Sequence, residues 1–418
     1  MSAPIRVAML ARVVYPLHGF GGIERHVYHL TTHLARLGVD ITLYVQASDD
    51  SDGLADLRTH MRVETLRYDY TSPYLRPNSI LGRQINYPRY TLAQGALVAR
   101  QVVAGAYDIV HTQGLCAYGY AQARAADPRL RSVPFFANPH GLEEYRTPDW
   151  RKRLAYIPFR ALYSHGHRQA DYVIATDACT APDLPLYLGV DATKVVVIPS
   201  AIDTGENLAP VTPARTHAMR TRYAPHDEIV MLSVSRLERN KGYHLYAEAV
   251  AHAAKSGLLP PSWRWILVGS GKERQALEAQ VHDLGIAAHV TFAGRVEDDD
   301  LQNLYAAADF FVHPTLYEGS SLVTLEAMIH QRPVLATDAG GIPDKVFTGV
   351  NGILVTPGSV SSLYDGLRDI LAARPHWPEW GAASATIVRT TFDWSVVARH
   401  NLAIYRHALA TQPSGSLP

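Results

Sequence analysis

Two cysteines, Cys116 and Cys179, are all that 418 residues contain. They form neither a disulfide framework nor a metal-site spacing, which points to a reducing cytoplasm. Excess charge is missing too. Thirty-nine basic residues balance 39 acidic ones, so composition gives no reason to expect a nucleic-acid partner. No uninterrupted apolar stretch is long enough to span a bilayer. The opening run IRVAML is short, carries Arg6, and reads as a first strand rather than a signal peptide. Two nucleotide signatures are also absent. The loop GFGG does not fit G-x-G-x-x-G, and GSGK fails the P-loop spacing with Glu273 after its lysine, which excludes the nicotinamide and ATPase readings. Nor does a D-x-D-like pair stand at a strand end, and the run EDDD (297–300) complements a helix dipole, so no metal site is expected.

What is present is a long chain, 47% hydrophobic, sufficient for two cores of about 200 residues each. IRVAML, a glycine loop, a helix carrying Ile23, Val27, Leu30, Leu34 and Leu37, and VDITLYV make a first βαβ unit. Residues 46–107 are weakly patterned and are expected to be irregular with one helix. YDIVHTQG, VPFFANPHG, ADYVIATD and KVVVIP read as further strands, and the proline-rich segment 199–216 as an interdomain linker. Strands and helices alternate again from EIVMLSVSRL (228–237) to PVLATDAGGIPDKV (333–346), and two helical stretches follow Ser359. The architecture implied is α/β: two doubly wound Rossmann-like domains facing across a cleft, spanning 1–200 and 217–390.

The chemistry concentrates in Tyr317–Met328, YEGSSLVTLEAM, where Glu318 and Glu326 bracket seven residues. DFFVHP (309–314) before it reads as a buried strand, and a helix is expected from near Ser321, whose hydroxyl would cap free N–H groups. Leu322, Leu325, Ile329 and Glu326 share one face of that helix, where a carboxylate needs a hydrogen-bond partner. Glu318 falls at a strand's carboxyl end, where open α/β sheets bind ligands. The N–H groups of Gly319, Ser320, Ser321 and Leu322 offer a seat for phosphate. Arg236 and Lys241 flank a strand-to-helix turn and could clamp a diphosphate. His140 lies just past another strand end, beside a glycine. Each has a bland alternative: a salt-bridged helix glutamate, a loop charge, a solvated basic turn, a satisfied histidine.

The spacing, with its following LEAM, resembles the E-x7-E signature of the retaining glycosyltransferases of family 4, which have the GT-B fold. SRLERNK, GRV, GGIERHV and PHG resemble other segments of that family, while VIPSAID departs from its VIPNGVD-type hinge. The resemblance assigns the diphosphate to Arg236 and Lys241, the donor sugar to Glu318 and His140, and the ribose to Glu326. It places the nucleotide base at Arg295 and Val296, the donor phosphates near Gly22, and the acceptor side at Gly21 and Glu143. It also implies that a final helix, within 391–418, crosses back to the first domain.

The implied activity is transfer of a sugar from a nucleotide-diphosphate donor, UDP- or GDP-linked, to a glycan, lipid-linked or small-molecule acceptor, without metal or cofactor. A sugar-nucleotide epimerase and a non-catalytic nucleotide-sugar binder are the alternatives. A phosphorylase would need a pyridoxal-anchoring lysine that the sequence does not place. Between residues 146 and 168, basic and aromatic residues interleave, and Arg153, Arg160 and His167 recur every seven. On a helix they would share a face, either solvated or in peripheral contact with anionic membrane.

Overall fold

The computed structural model describes residues 3–19, 21–68, 74, 79, 81–142, 145 and 150–411, apart from the side chains of residues 83, 152 and 153. The chain divides into two compact units, Met1–Ser200 with Trp394–Pro418, and Ala201–Asp393.

In the first unit the strands are β1 (Arg6–Leu10), β2 (Asp40–Gln46), β3 (Arg62–Leu66), β4 (Ile109–Gln113), β5 (Phe135–Asn138), β6 (Tyr172–Ala175) and β7 (Val195–Val197). They form one parallel sheet in the order β3-β2-β1-β4-β5-β6-β7. Val7 of β1 sits opposite Ile41 on one side and Ile109 on the other. The connections therefore reverse direction between β1 and β4, the place where such sheets leave a crevice at their carboxyl ends. The helix Gly22–Arg36 feeds from β1 into β2, burying Val27, Leu30 and Leu34 along one stripe.

The second unit repeats the plan with β8 (Ile229–Val234), β9 (Trp263–Val268), β10 (Val290–Gly294), β11 (Phe310–His313), β12 (Val334–Thr337) and β13 (Gly352–Val355), ordered β10-β9-β8-β11-β12-β13. Its switch point lies between β8 and β11. Val230, Leu232 and Val234 enter one apolar cluster, while Ile229 and Met231 enter the other. A strand with both faces covered needs no polar side, which accounts for the unbroken run IVML.

Four expectations change. Residues 46–107 hold more order than their pattern suggests: a helix at Ser51–His60, capped by Asp50, and the strand β3 besides the long helix Tyr87–Val103. β3 is an edge strand in which Val63 alone is fully buried, so its alternation is faint. Three helices follow Ser359 where two were expected: Val360–Ala372, Trp377–Thr391 and Trp394–Thr411. Pro378 belongs to the first turn of the second, where a proline starts a helix instead of ending one. The strand β13 was not foreseen. His167 does not join the expected basic face. That segment is two helices, Trp150–Ala155 and Ile157–Arg168, and His167 is fully buried with Nδ1 donating to the Tyr163 carbonyl at 2.7 Å.

The loop after β12 is pressed against the loop after β11. Gly340 has φ +56°, and a Cβ there would come within 2.1 Å of the Glu318 carbonyl oxygen. Gly257 has φ +75° with nothing within 4 Å of such a Cβ. Gly257→Ala should therefore cost about 1 kcal/mol for its left-handed backbone. Gly340→Ala should cost about 3 kcal/mol, because a backbone clash is added. Urea unfolding of the two variants beside the parent measures the difference.

Candidate active site

Four neighbouring strands of the second sheet deliver their carboxyl-terminal loops to one edge. Arg236 follows β8, the Gly269 turn follows β9, Arg295 and Val296 follow β10, and Glu318 follows β11. Hydrogen bonds join these loops: Gly269 N–H to the Gly294 carbonyl at 2.7 Å, and Leu316 N–H to the Asn240 carbonyl at 2.7 Å. Gly242, at φ +71°, lets the β8 turn approach so closely that a Cβ would lie 1.9 Å from the Pro314 carbonyl oxygen.

Glu318 is the centre of this edge. Lys241 Nζ donates to its Oε2 at 2.7 Å, His313 Nε2 meets the same oxygen at 2.8 Å, and the Gly319 N–H reaches Oε1 at 3.2 Å. The ion pair is well shielded, with side-chain exposures of 11% for Lys241 and 15% for Glu318. Burial by itself raises the carboxyl pKa, but the bond from His313 and the Lys241 cation outweigh it and bring Glu318 down to about 2. Burial lowers the pKa of His313.

Glu326 lies on the helix Leu322–Ile329 that follows this loop, and its Oε2 accepts from the buried Tyr305 hydroxyl at 2.9 Å. The partner its apolar face demanded is thus a tyrosine. Ser321 does not act as expected. Its backbone is left-handed at φ 35°, and its hydroxyl pairs with Thr324 Oγ1 at 2.7 Å instead of capping an N–H. Gly319, Ser320 and Leu322 are half-buried around that helix start. Arg236 is not brought into the Glu318 cluster; its side chain is 73% exposed and pairs with Glu238 at 2.8 Å. Arg295 is exposed and Val296 packs on the unit's core.

The first unit has its own group of residues at the carboxyl ends of β1, β4 and β5. Gly21 and Gly22 begin the helix after β1 and are exposed. His140 holds a left-handed backbone at φ 61°, its N–H bound by Asn138 Oδ1 at 2.9 Å. Asn138 Nδ2 reaches His26 Nε2 at 3.4 Å, and the His26 ring stands edge-on to His140 and Trp394. Burial lowers the pKa of His140 and of His111 to about 3, so both are neutral at physiological pH. His111 Nδ1 meets the Tyr405 hydroxyl at 2.5 Å, and the Nε2 of His140 has no hydrogen-bond partner among the described residues. Glu143 lies outside the described residues.

Sequence reasoning passed over His313, Tyr305 and His26. His313 is the last residue of an apolar strand, the same signal that singled out His140. His26 lies one turn below Gly22 on the first helix. Tyr305 had no local signal, being 21 residues from its partner.

Family models match both halves: Glycosyltransferase Family 4 over residues 20–206, and Glycosyl transferases group 1 over residues 215–385. A glycogen synthase of Mycobacterium tuberculosis is 25% identical, the match covering 97% of this chain and 96% of the relative. A D-inositol 3-phosphate glycosyltransferase of Geodermatophilus obscurus is 29% identical over 98% of this chain and 92% of its own. Among solved structures, a sucrose-phosphate synthase from Thermosynechococcus elongatus superposes with TM-score 0.74 at 22% identity, covering 97% of this chain and 99% of that one. An Anabaena protein crystallised with UDP-glucose gives 0.69 at 21% identity, covering 97% and 100%.

Removing the Glu318 charge should expose how much the cluster depends on it. Glu318→Gln leaves Lys241 without its counter-charge and should cost about 3 kcal/mol at pH 7. The folded pKa lies below the unfolded value, so this stabilisation is complete above about pH 4.3 and decays as pH falls toward the folded value. The gap between parent and variant in urea unfolding should therefore narrow by about 1 kcal/mol between pH 7 and pH 3.5.

Proposed function

The chain belongs to glycosyltransferase family 4, and from that membership we propose that it moves a sugar, with retention of anomeric configuration, from a nucleotide-diphosphate sugar to an acceptor hydroxyl. The observation that carries the reading is the ionised, shielded Glu318 with its lysine at the carboxyl end of β11, bordered by the loops of three adjacent strands. The Anabaena neighbour's UDP-glucose supports a UDP-linked donor as co-substrate.

As the bond between the anomeric carbon and the diphosphate breaks, negative charge grows on the leaving group. Lys241 and the N–H groups opening the helix Leu322–Ile329 are suited to receive it, each preorganised donor contributing roughly 3 kcal/mol, and the exposed Arg236 would join them from the β8 loop. Cations in that role take the place of a metal. Glu326, steadied by Tyr305, would grip the ribose hydroxyls. Glu318 would hold hydroxyls of the donor sugar. A carboxylate with a pKa of about 2 is a weak base and a weak nucleophile. Glu318 therefore suits hydrogen bonding better than covalent attack, which fits front-side displacement through an ion-pair-like transition state.

Radiolabelled UDP-glucose offered with and without acceptor, in EDTA, tests the reading. Transfer that requires acceptor and survives chelation is expected. Conversion without acceptor would indicate an epimerase, unchanged donor a binding protein, and rescue by Mn²⁺ a metal enzyme. In that assay Glu326→Ala should weaken donor binding by about 1.5–3 kcal/mol. Arg236→Ala should act more on kcat, since its target charge develops in the transition state. Equal loss of kcat in both, at unchanged donor KM, contradicts the division.

The acceptor belongs to the less specific first unit, and one surface there favours a membrane-borne acceptor. Trp150, Leu154 and Ile157 project outward at 64%, 57% and 54% exposure, beside the exposed Arg151. An apolar, basic helix surface of this kind fits the interface of an anionic bilayer. No described helix is long and apolar enough to cross one. Co-sedimentation with acidic vesicles at low salt should retain the protein, and Trp150→Ala with Leu154→Ala should release it without changing nucleotide affinity. Protein that stays in the supernatant would favour a soluble acceptor.

A further inference from the structure

We propose that His313 is a positioning residue for Glu318, fixing Oε2 so that Oε1 is the oxygen presented to the donor sugar. The proposal rests on the reading of Glu318 as the group that holds that sugar.

The two oxygens of Glu318 stand in unlike surroundings. Oε2 receives Lys241 Nζ at 2.7 Å and His313 Nε2 at 2.8 Å, whereas Oε1 meets only the N–H of its own chain neighbour, Gly319, at 3.2 Å among the described residues. A carboxylate offers about four lone-pair sites, so Oε1 keeps room for a hydroxyl donor. Lys241 supplies the counter-charge but little direction. Its ammonium sits on a flexible stem and its three donors rotate. His313 is the rigid partner. Its side chain is fully buried at the end of β11, and its ring lies nearly parallel to Phe311, two residues back on the same strand face. A ring so enclosed has one place for Nε2, and the carboxylate must turn to meet it.

The same burial decides the charge that His313 brings. Nδ1 is enclosed and has no hydrogen-bond partner among the described residues. A doubly protonated ring would leave that N–H unsatisfied, beside the Lys241 cation. The ring is therefore neutral, with its proton on Nε2, in line with its lowered pKa. It orients Glu318 without adding a second positive charge that would weaken the hold of Oε1 on a hydroxyl.

His313→Gln and His313→Asn separate this role from simple packing. Both are polar and smaller than histidine. The Gln amide nitrogen can occupy the place of Nε2, whereas the Asn nitrogen stops near the place of Nδ1 and falls short of Glu318. Calorimetric titration of the full chain with UDP and with UDP-glucose gives the readout. Both variants should bind UDP within twofold of the parent. His313→Asn should bind UDP-glucose at least tenfold more weakly than the parent, and His313→Gln within about threefold of it. Equal affinities of the two variants for UDP-glucose, or a parallel loss toward UDP, would overturn the assignment. A parent that binds neither ligand would instead overturn the donor reading, and this assignment with it.

Discussion

A carboxylate loses stability when it is taken out of water unless donors and an opposite charge surround it, and Glu318 has both. Lys241 and His313 converge on one oxygen, so the β8 loop and the end of β11 are tied at a single atom. Loss of any member leaves the others buried and unsatisfied, which costs more than the cluster gains over an apolar one. The close approaches at Gly242 and Gly340 have meaning in that light. They let the loops of β8 and β12 press against the β11 loop that carries the carboxylate.

The sheet beneath explains why these loops can meet. In a parallel sheet all carboxyl ends point one way, and at a switch point the flanking connections diverge to opposite faces. Both units have this arrangement, at β1 and β4 and at β8 and β11. Each has used it differently. The second unit collects charge: an arginine, a lysine and two glutamates. The first collects neutral imidazoles packed around Trp394, with Tyr405 behind them, which provides hydrogen-bonding edges without fixed charge. A donor that must leave as an anion and an acceptor that must present a hydroxyl would ask for such different surroundings.

The doubly wound plan was legible because buried parallel strands read as short continuous apolar runs between glycine turns. Glu318 and Glu326 stood out because each is a polar residue where a pattern of apolar residues stops or is broken, and the structure gives each a hydrogen-bond partner. The rest needed three dimensions. β3 carries one fully buried side chain and leaves almost no period to read. Ser321 has the residue type of a cap but a left-handed backbone, which only the packing of its loop imposes. His167 follows Arg160 at heptad spacing on the helix Ile157–Arg168, yet it is buried against the Tyr163 ring and bonded to the Tyr163 carbonyl. Tyr305 finds Glu326 through the fold alone.

The central claim is that the sugar passes from its diphosphate to the acceptor hydroxyl with its anomeric configuration kept. The anomeric configuration of the first product formed tests it most directly, read by proton NMR before any spontaneous interconversion. With an α-linked donor, the account predicts a product whose new linkage is α, with the small coupling between H1 and H2 of an axial glucosyl bond. A β-linked first product would contradict it.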